Sequence, residues 1–415
     1  MKFSEELKTR GLIYDVSDPA IYEALDAGGL TFYLGADPTG DSLHVGHLST
    51  YLVAKRLQNA GHHPILVIGG GTGLIGDPSG KNKERNLLTL EASLKNAEAL
   101  TAQVKKLLPG AQVVNNYDWL KTYSMIPFLR DVGKHFNLNQ MLAKDTVKRR
   151  LESGISFTEF TYQIIQSLDF LVLFQQHHCQ LQIGGQDQWG NITAGLELIR
   201  KVEGAEAKAY GMVFPLVTKS DGTKFGKTAD GAIWLDPEKT SPYAFYQYWV
   251  NLADDDALVM LDRFSFKPLS ELASIKTAMA ETPHLRHAQK AIAEELTELV
   301  HGPEGLASAL SITEALFHDA FDALSLSDFK EAFAGVKAHQ SPQALSLIDA
   351  LVATELAPSK SQARTLIKQN AIAINGEKTQ DDARVLDHKD AYHGRYIILK
   401  KGKKAYGLID LSPSA

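Results

Sequence analysis

Residues Pro64-Ile65-Leu66-Val67-Ile68 form a continuous apolar run, the pattern of a strand buried on both faces of a parallel sheet. A sheet of that kind needs helices over its faces, so the flanking segments are constrained as well. Upstream, residues 31–36 are β-prone, and residues 45–60 carry Val53, Leu57 and Ala60 at helical spacing before Gly61, a residue suited to a helix C-cap. Strand, loop, helix and strand make a βαβ unit. The alternation continues with a helix over 91–108, a strand at 112–115, mainly helical sequence over 117–175, a strand at 181–185, a helix over 189–202 and a strand over 210–217. These elements predict an α/β, doubly wound (Rossmann-like) parallel-sheet domain over residues 1–235.

After Asp236-Pro237 the pattern turns helical, beginning with Ser241-Pro242 as cap and first-turn proline, and an α-helical domain is expected over 236–333. Residues 334–343 read as a linker, and 344–415 as a small α+β domain. In that last part Ser359-x-x-Gln362 is a capping box. Lys360, Arg364 and Lys368 follow at i, i+4 and i+8, a basic stripe opposite Ala363, Leu366 and Ile367. Residues 342–415 carry a net charge of +3 within a chain whose total is -6. The total argues against a protein that coats nucleic acid by bulk charge, and the asymmetry points to a separate module with an anionic partner.

The single cysteine, Cys179, allows neither an intrachain disulfide nor a Cys-based metal site. With no early apolar run and no long uncharged stretch, the expectation is a cytoplasmic protein without a membrane partner.

Chemistry concentrates first between Tyr33 and Thr50. A short strand, a loop with Asp37-Pro38-Thr39-Gly40 and a helix start with His44 and His47 suggest free backbone N–H groups, a hydroxyl and two imidazoles around phosphate oxygens. Alone, this says only nucleotide, and plain helix capping by the histidines would read the same way. The glycine clusters at 69–73 and 76–80 fit neither GxGxxG nor the P-loop pattern. A polar segment over 218–228, with Lys224 and Lys227, is suited to reach toward an anion, though a solvated turn has the same composition.

His44-Val45-Gly46-His47 resembles the HIGH motif and Lys224-Phe225-Gly226-Lys227-Thr228 the KMSKS motif, in the order and spacing of the class I aminoacyl-tRNA synthetases. Further segments at 33–39, 76–80, 157–163 and 184–191 resemble the bacterial-type tyrosyl-tRNA synthetases within that class, and the tail resembles the S4 RNA-binding domain. Val45 and Phe225-Gly226 depart from the motif consensus, as do Leu168 and Gln186 from the family's pocket segments.

The resemblance implies a tyrosine–tRNA ligase. Tyrosine and ATP would give tyrosyl-adenylate and pyrophosphate, and the tyrosyl group would pass to the 3'-terminal adenosine of tRNA(Tyr). Mg2+ would arrive with ATP rather than in a protein metal site, and the protein would be a homodimer with its interface near residues 115–175. Tyr33 and Asp169 would contact the phenol, Asp77, Tyr162 and Gln166 the amino group, and Gln188 the carboxylate. ATP would meet Gly35, Asp37, Thr39, His44, Gly46, His47, Thr50, Gly185, Asp187, Lys224 and Lys227. Of these, Thr39, His44, His47, Lys224 and Lys227 would carry catalysis, while Lys360, Arg364 and Lys368 would bind RNA. Independently of family, Tyr162, Gln166 and Asp169 at i, i+4 and i+7 would share one face of a helix. A tryptophanyl-tRNA synthetase and a catalytically inactive RNA-binding or splicing relative remain the alternatives at this point.

Overall fold

Six strands, β1 (Asp15–Val16), β2 (Thr31–Ala36), β3 (His63–Ile68), β4 (Gln112–Asn115), β5 (Leu181–Gly185) and β6 (Tyr210–Phe214), form one sheet in the order β1-β6-β5-β2-β3-β4. This comes from a computed structural model that describes residues 1–79, 87–151, 154–218, 220, 225–228, 231–402 and 405–413, with only the backbone of residues 145, 146, 149, 227 and 228. Strands β2 to β6 pair in parallel, as the apolar run predicts, and Pro64–Ile68 is buried throughout. Strand β1 adds an antiparallel edge that the sequence does not signal, because two residues are too few to show a period.

The order of the strands locates the site. From β2 the chain steps outward through β3 to β4 on one side, while β5 and β6 build the other, so β2 and β5 flank the point where strand order reverses. Loops after the carboxyl ends of such strands diverge and leave a crevice. Helices α1 (Val45–Asn59), α2 (Leu90–Leu107), α3 (Phe157–His177) and α4 (Trp189–Glu203) supply the layers. Tyr33, Ile65 and Val67 of the sheet pack with Phe170 and Leu173 of α3 and Leu198 of α4 in one buried cluster. Helix α3 starts where the Ser156 hydroxyl accepts the Glu159 N–H (3.2 Å), and Glu159 is itself in a buried ion pair with Arg150 (2.7 Å). It ends at His178, in the left-handed conformation.

Helices α5 (Pro242–Val250), α6 (Asp254–Phe264), α7 (Leu269–Glu281) and α8 (His287–His318) follow. Helix α8 is interrupted at Gly302, whose ψ of 174° is not helical, next to Pro303. The chain forms two compact units, Met1–Thr240 with Gln247–Val300, and Ser241–Tyr246 with His301–Ala415.

In the second unit α9 (Leu326–Ala332), α10 (Leu347–Ala353) and α11 (Lys360–Lys368) accompany five strands, β7 (Ala338–Gln340), β8 (Ile372–Ile374), β9 (Glu377–Lys378), β10 (Tyr396–Lys401) and β11 (Ala405–Asp410). Their order is β9-β8-β10-β11-β7, and β7 falls within the stretch expected as a linker. Along β10, Ile397 and Leu399 join the cluster of Leu347, Leu351, Ala363 and Ile367, whereas Tyr396 and Ile398 join that of Phe321, Phe329 and Phe333. The sheet is therefore buried on both faces, which explains why Ile397-Ile398-Leu399 shows no polar alternation. Phe329 is fully buried, with rings of Phe333 and Tyr396 at 5.0 and 5.2 Å.

Truncating such a ring leaves a cavity that packing cannot close, so Phe329→Ala should destabilise the second unit by about 3–5 kcal/mol. Denaturant unfolding should show its transition moving while that of the first unit stays in place; a shift of under about 1 kcal/mol would contradict the packing described.

Candidate active site

The crevice at β2 and β5 is lined by side chains that come from the ends of four parallel strands and from α3. Asp37, just past β2, accepts hydrogen bonds from Thr72 Oγ1 (2.7 Å) and from the Tyr162 hydroxyl on α3 (2.9 Å). Asp77, in the glycine-rich segment after β3, accepts from Gln188 Nε2 (2.8 Å) and from the Ser79 N–H (2.9 Å). A Cβ at residue 69 would lie 2.1 Å from Asp37 Oδ1 and 2.4 Å from Thr72 Oγ1, so any residue but glycine there would displace this pair.

Asp169 is buried on α3. Its two oxygens each accept one hydrogen bond, from Asn116 Nδ2 (2.9 Å) and Trp119 Nε1 (2.8 Å). Burial pushes its carboxyl up to about 7, while the bonds from Asn116 and Trp119 pull it down and Asp37 adds a smaller upward push. Tyr33 lies 2% exposed with its ring 5.2 Å from that of Phe170, and its hydroxyl has no partner among the described residues. Burial, then the Asp169 carboxylate, then Cys179 hold that hydroxyl well above its ordinary pKa, so it stays a donor. Gln166 Oε1 is likewise buried without a partner among the described residues. An unpaired buried hydroxyl and an unpaired buried amide oxygen call for a polar ligand that completes them.

Asn116 and Trp119 are absent from the sequence-based site. Asn116 immediately follows β4 and sits where ligand-facing residues gather in open α/β sheets, so its position at the end of a strand was the available signal. It also ties Asp169 to the rest of the crevice, donating to Thr72 Oγ1 (2.9 Å). Asn191 bridges Gln188 Oε1 (3.1 Å) and Ser79 Oγ (3.3 Å).

At the start of α1 the expectation of free backbone N–H groups is corrected. Val45 N–H donates to the Ile233 carbonyl (2.9 Å), Gly46 N–H to His44 Nδ1 (3.0 Å), and His47 N–H to the His44 carbonyl (2.8 Å). The helix end is already satisfied by the protein. His47 Nδ1 accepts from the His44 N–H (3.3 Å), so in both rings Nδ1 is an acceptor and the proton of the neutral form lies on Nε2. The two rings stack with centroids 3.9 Å apart and planes at 21°.

Thr39 and Gly35 are exposed on the loop side, and Thr50 is half-buried on α1 one turn past His47. Gly185 ends β5, and a Cβ there would meet Asp187 Oδ1 at 2.7 Å. Lys224 lies outside the described residues, as does the side chain of Lys227. Gly226 is described, has φ +79°, and would place a Cβ 2.9 Å from the Gly46 nitrogen, so the two motif glycines meet backbone to backbone.

In the second unit, Lys360, Arg364 and Lys368 project from the exposed side of α11 while Ala363 and Ile367 are buried. Lys360 is paired with Asp349 (2.7 Å) and Lys368 with Asp382 (3.9 Å), so the stripe is less purely basic than its sequence suggests. Among the described residues no helix is long and apolar enough to cross a membrane.

Comparison with known proteins adds a family. A profile described as tRNA synthetases class I (W and Y) matches residues 26–318, and one for the tyrosine–tRNA ligase SYY-like C-terminal domain matches residues 328–409. The tyrosine–tRNA ligase 1 of Bacillus cereus (strain ATCC 10987 / NRS 248) is 50% identical over 417 residues, covering 99% of this chain and 100% of its own. The tyrosine–tRNA ligase of Listeria innocua is 48% identical over 416 residues, covering 99% of each. Among solved structures, a C-terminally truncated mitochondrial tyrosyl-tRNA synthetase of Aspergillus nidulans matches with a TM-score of 0.67 and 32% identity, over 76% of this chain and 94% of that one. A tryptophanyl-tRNA synthetase of Encephalitozoon cuniculi matches in fold, with a TM-score of 0.54 and 13% identity, over 74% of this chain and 89% of that one.

The Asp169 carboxyl has a measurable consequence without any ligand. A carboxyl raised from 3.8 to about 7 in the folded state contributes stability that is present at low pH and is lost as pH rises through about 7. The difference in unfolding midpoint between the parent and Asp169→Asn should therefore shift against the parent between about pH 4 and 7 and level off above. A difference that does not vary with pH would show that this carboxyl ionises normally.

Proposed function

The chain belongs to the class I tRNA synthetases of the tryptophan and tyrosine type, and on that premise we propose that the crevice between β2 and β5 is where tyrosine and ATP meet. Identity near 50% along the full length establishes the activity as tyrosine–tRNA ligation, which sets the tryptophan and inactive alternatives aside. Tyrosine, ATP and tRNA(Tyr) are its substrates.

The observation that carries the site assignment is the buried Tyr33 hydroxyl, without a described partner, close enough to Asp169 to be influenced by its charge. A phenol bound between them would accept from Tyr33 and donate to Asp169. Phenylalanine would leave both groups desolvated and unpaired, and that penalty is the basis of selection. Asp77, Tyr162 and Gln166 would take the ammonium; the unpaired Gln166 Oε1 and the Asp77 carboxylate supply its acceptors. Gln188, already bound to Asp77, would turn toward the carboxylate.

Adenylate formation needs no general base. The tyrosine carboxylate attacks the α-phosphorus, a new C(O)O–P bond forms, and the bond to pyrophosphate breaks with its electrons leaving on the pyrophosphate oxygen. The protein's part is to align the reactants and offset the charge that develops. We assign the Nε2–H donors of His44 and His47, with Thr39, to the phosphate oxygens, and Lys224 and Lys227 to the departing pyrophosphate. Gly35, Asp37, Gly46, Thr50, Gly185 and Asp187 complete the ATP side, with Asp187 at the ribose. Asp37 is bonded to Tyr162, so it belongs where the two substrates adjoin. Among the described residues no three or more His, Cys, Asp or Glu side chains could hold a metal ion, and the proposal is that Mg2+ rides on the phosphates and water.

The second unit would act as an S4-like RNA grip through Lys360, Arg364 and Lys368. We also propose a homodimer, within the cytoplasm. Exposed large apolar side chains concentrate between residues 123 and 157, including Met125, Ile126, Leu129, Leu138 and Phe157, the last 76% exposed.

ATP–pyrophosphate exchange should respond to tyrosine alone among the amino acids. Asp169→Ala should raise the KM for tyrosine by about tenfold or more with little change in that for ATP; equal changes in both would remove Asp169 from the pocket. For the dimer, Ile126→Asp should halve the mass in sedimentation from about twice 45.5 kDa. A parent that sediments as a single chain would refute the assembly.

A further inference from the structure

Two helical side chains outside the substrate crevice hold the backbone just before the lysine motif and within it. On α6, Asp256, 7% exposed, accepts the Ser220 N–H through Oδ1 (2.8 Å). On α5, the Tyr248 hydroxyl accepts the Gly226 N–H (3.1 Å). Between these contacts, Phe225 is 5% exposed, its ring surrounded by Tyr248 (5.7 Å), Trp249 (5.6 Å) and Phe264 (5.9 Å). An aromatic side chain buried so thoroughly anchors the backbone at its own position.

The contact at Gly226 continues toward the histidines. The Gly226 carbonyl accepts the Ile233 N–H (3.1 Å), and the Ile233 carbonyl accepts the Val45 N–H (2.9 Å), the first residue of α1. A run of hydrogen bonds thus leads from the Tyr248 hydroxyl to the helix start that bears His44 and His47. A Cβ at Gly226 would lie 2.9 Å from the Gly46 nitrogen, and one at Gly46 would lie 2.8 Å from the His44 ring.

We propose that Tyr248 and Asp256 are positioning residues for adenylate formation, holding the backbone of Gly226 and Ser220 in register with the start of α1 that bears His44 and His47. They touch neither substrate and act through the backbone they bind. Burial pushes the Tyr248 hydroxyl up to about 12, so it remains protonated through the working pH range. The proposal rests on the assignment of Lys224 to the ATP phosphates.

The test is ATP–pyrophosphate exchange by the full-length chain. Tyr248→Phe keeps the ring packing and removes the acceptor for Gly226, while Asp256→Ala removes the acceptor for Ser220. Each should lower kcat by about fivefold, the usual weight of one such bond, with the KM for tyrosine within about twofold of the parent. Asp256→Asn retains a side-chain oxygen that can accept from Ser220 and should recover most of the loss. The unfolding midpoint of Tyr248→Phe should match the parent. Unchanged kcat in both Tyr248→Phe and Asp256→Ala, or a loss in Asp256→Ala that Asp256→Asn does not recover, would overturn the proposal. So would parallel changes in tyrosine KM and midpoint, which mark a merely structural role. Lys224→Ala, run alongside, separates the two ideas. If it loses exchange while the helical variants keep it, only the positioning fails; if it too is unchanged, the lysine assignment falls and the positioning with it.

Discussion

A carboxylate removed from water is costly unless hydrogen bonds replace its hydration, and Asp169 is the point where that constraint governs the crevice. Its two replacements, Asn116 and Trp119, come from the segment after β4, while Asp169 itself sits on α3. The carboxylate can therefore be buried only if the edge of the sheet and the central helix meet in one arrangement. Asn116 continues the connection through Thr72 to Asp37, and Asp37 returns to α3 at Tyr162. The pocket is a closed polar circuit across α3 and the ends of β2, β3 and β4, in which moving one member leaves another unpaired. The two buried atoms that the circuit leaves without a described partner, Tyr33 Oη and Gln166 Oε1, mark where a substrate is expected to complete it.

The same accounting applied to the start of α1 changes the picture of phosphate binding. Helix N-termini attract anions because their first N–H groups lack partners. Here those groups are committed, one of them to a carbonyl of the segment that follows the lysine motif. The commitment of Nδ1 in both rings sets the tautomer, so the backbone N–H groups orient the imidazoles to which phosphate binding is assigned.

What could be read from the sequence was local and periodic. The run at 64–68 required a strand covered on both sides, and β3 is that strand. The spacing of Tyr162, Gln166 and Asp169 required one helix, and α3 carries all three. The mixed parallel and antiparallel sheet was less legible, since β1 is two residues long. Asn116 was missed because its partner stands 53 residues away, and no local pattern records that pairing. The first N–H of α1 has a distant acceptor of the same kind, the Ile233 carbonyl, whereas those of Gly46 and His47 are taken up locally by His44. The apolar run at 397–399 obeys the rule that identifies β3, since both faces of its strand are buried.

Two motif glycines answer to two different constraints. Gly46 lies between two histidines, and a Cβ there would come within 2.8 Å of the His44 ring whose Nδ1 accepts the Gly46 N–H, so its own motif explains it. Gly226 lies between two lysines and is explained from a distance: its φ of +79° suits glycine, and a Cβ would lie 2.9 Å from the Gly46 nitrogen. If the side chains of the two motifs act on one polyphosphate, as proposed, their backbones have to come together first, and the close approach of Gly226 to the start of α1 is such a meeting. That is the kind of preorganisation by which fixed donors stabilise developing charge without reorganising at the moment of reaction.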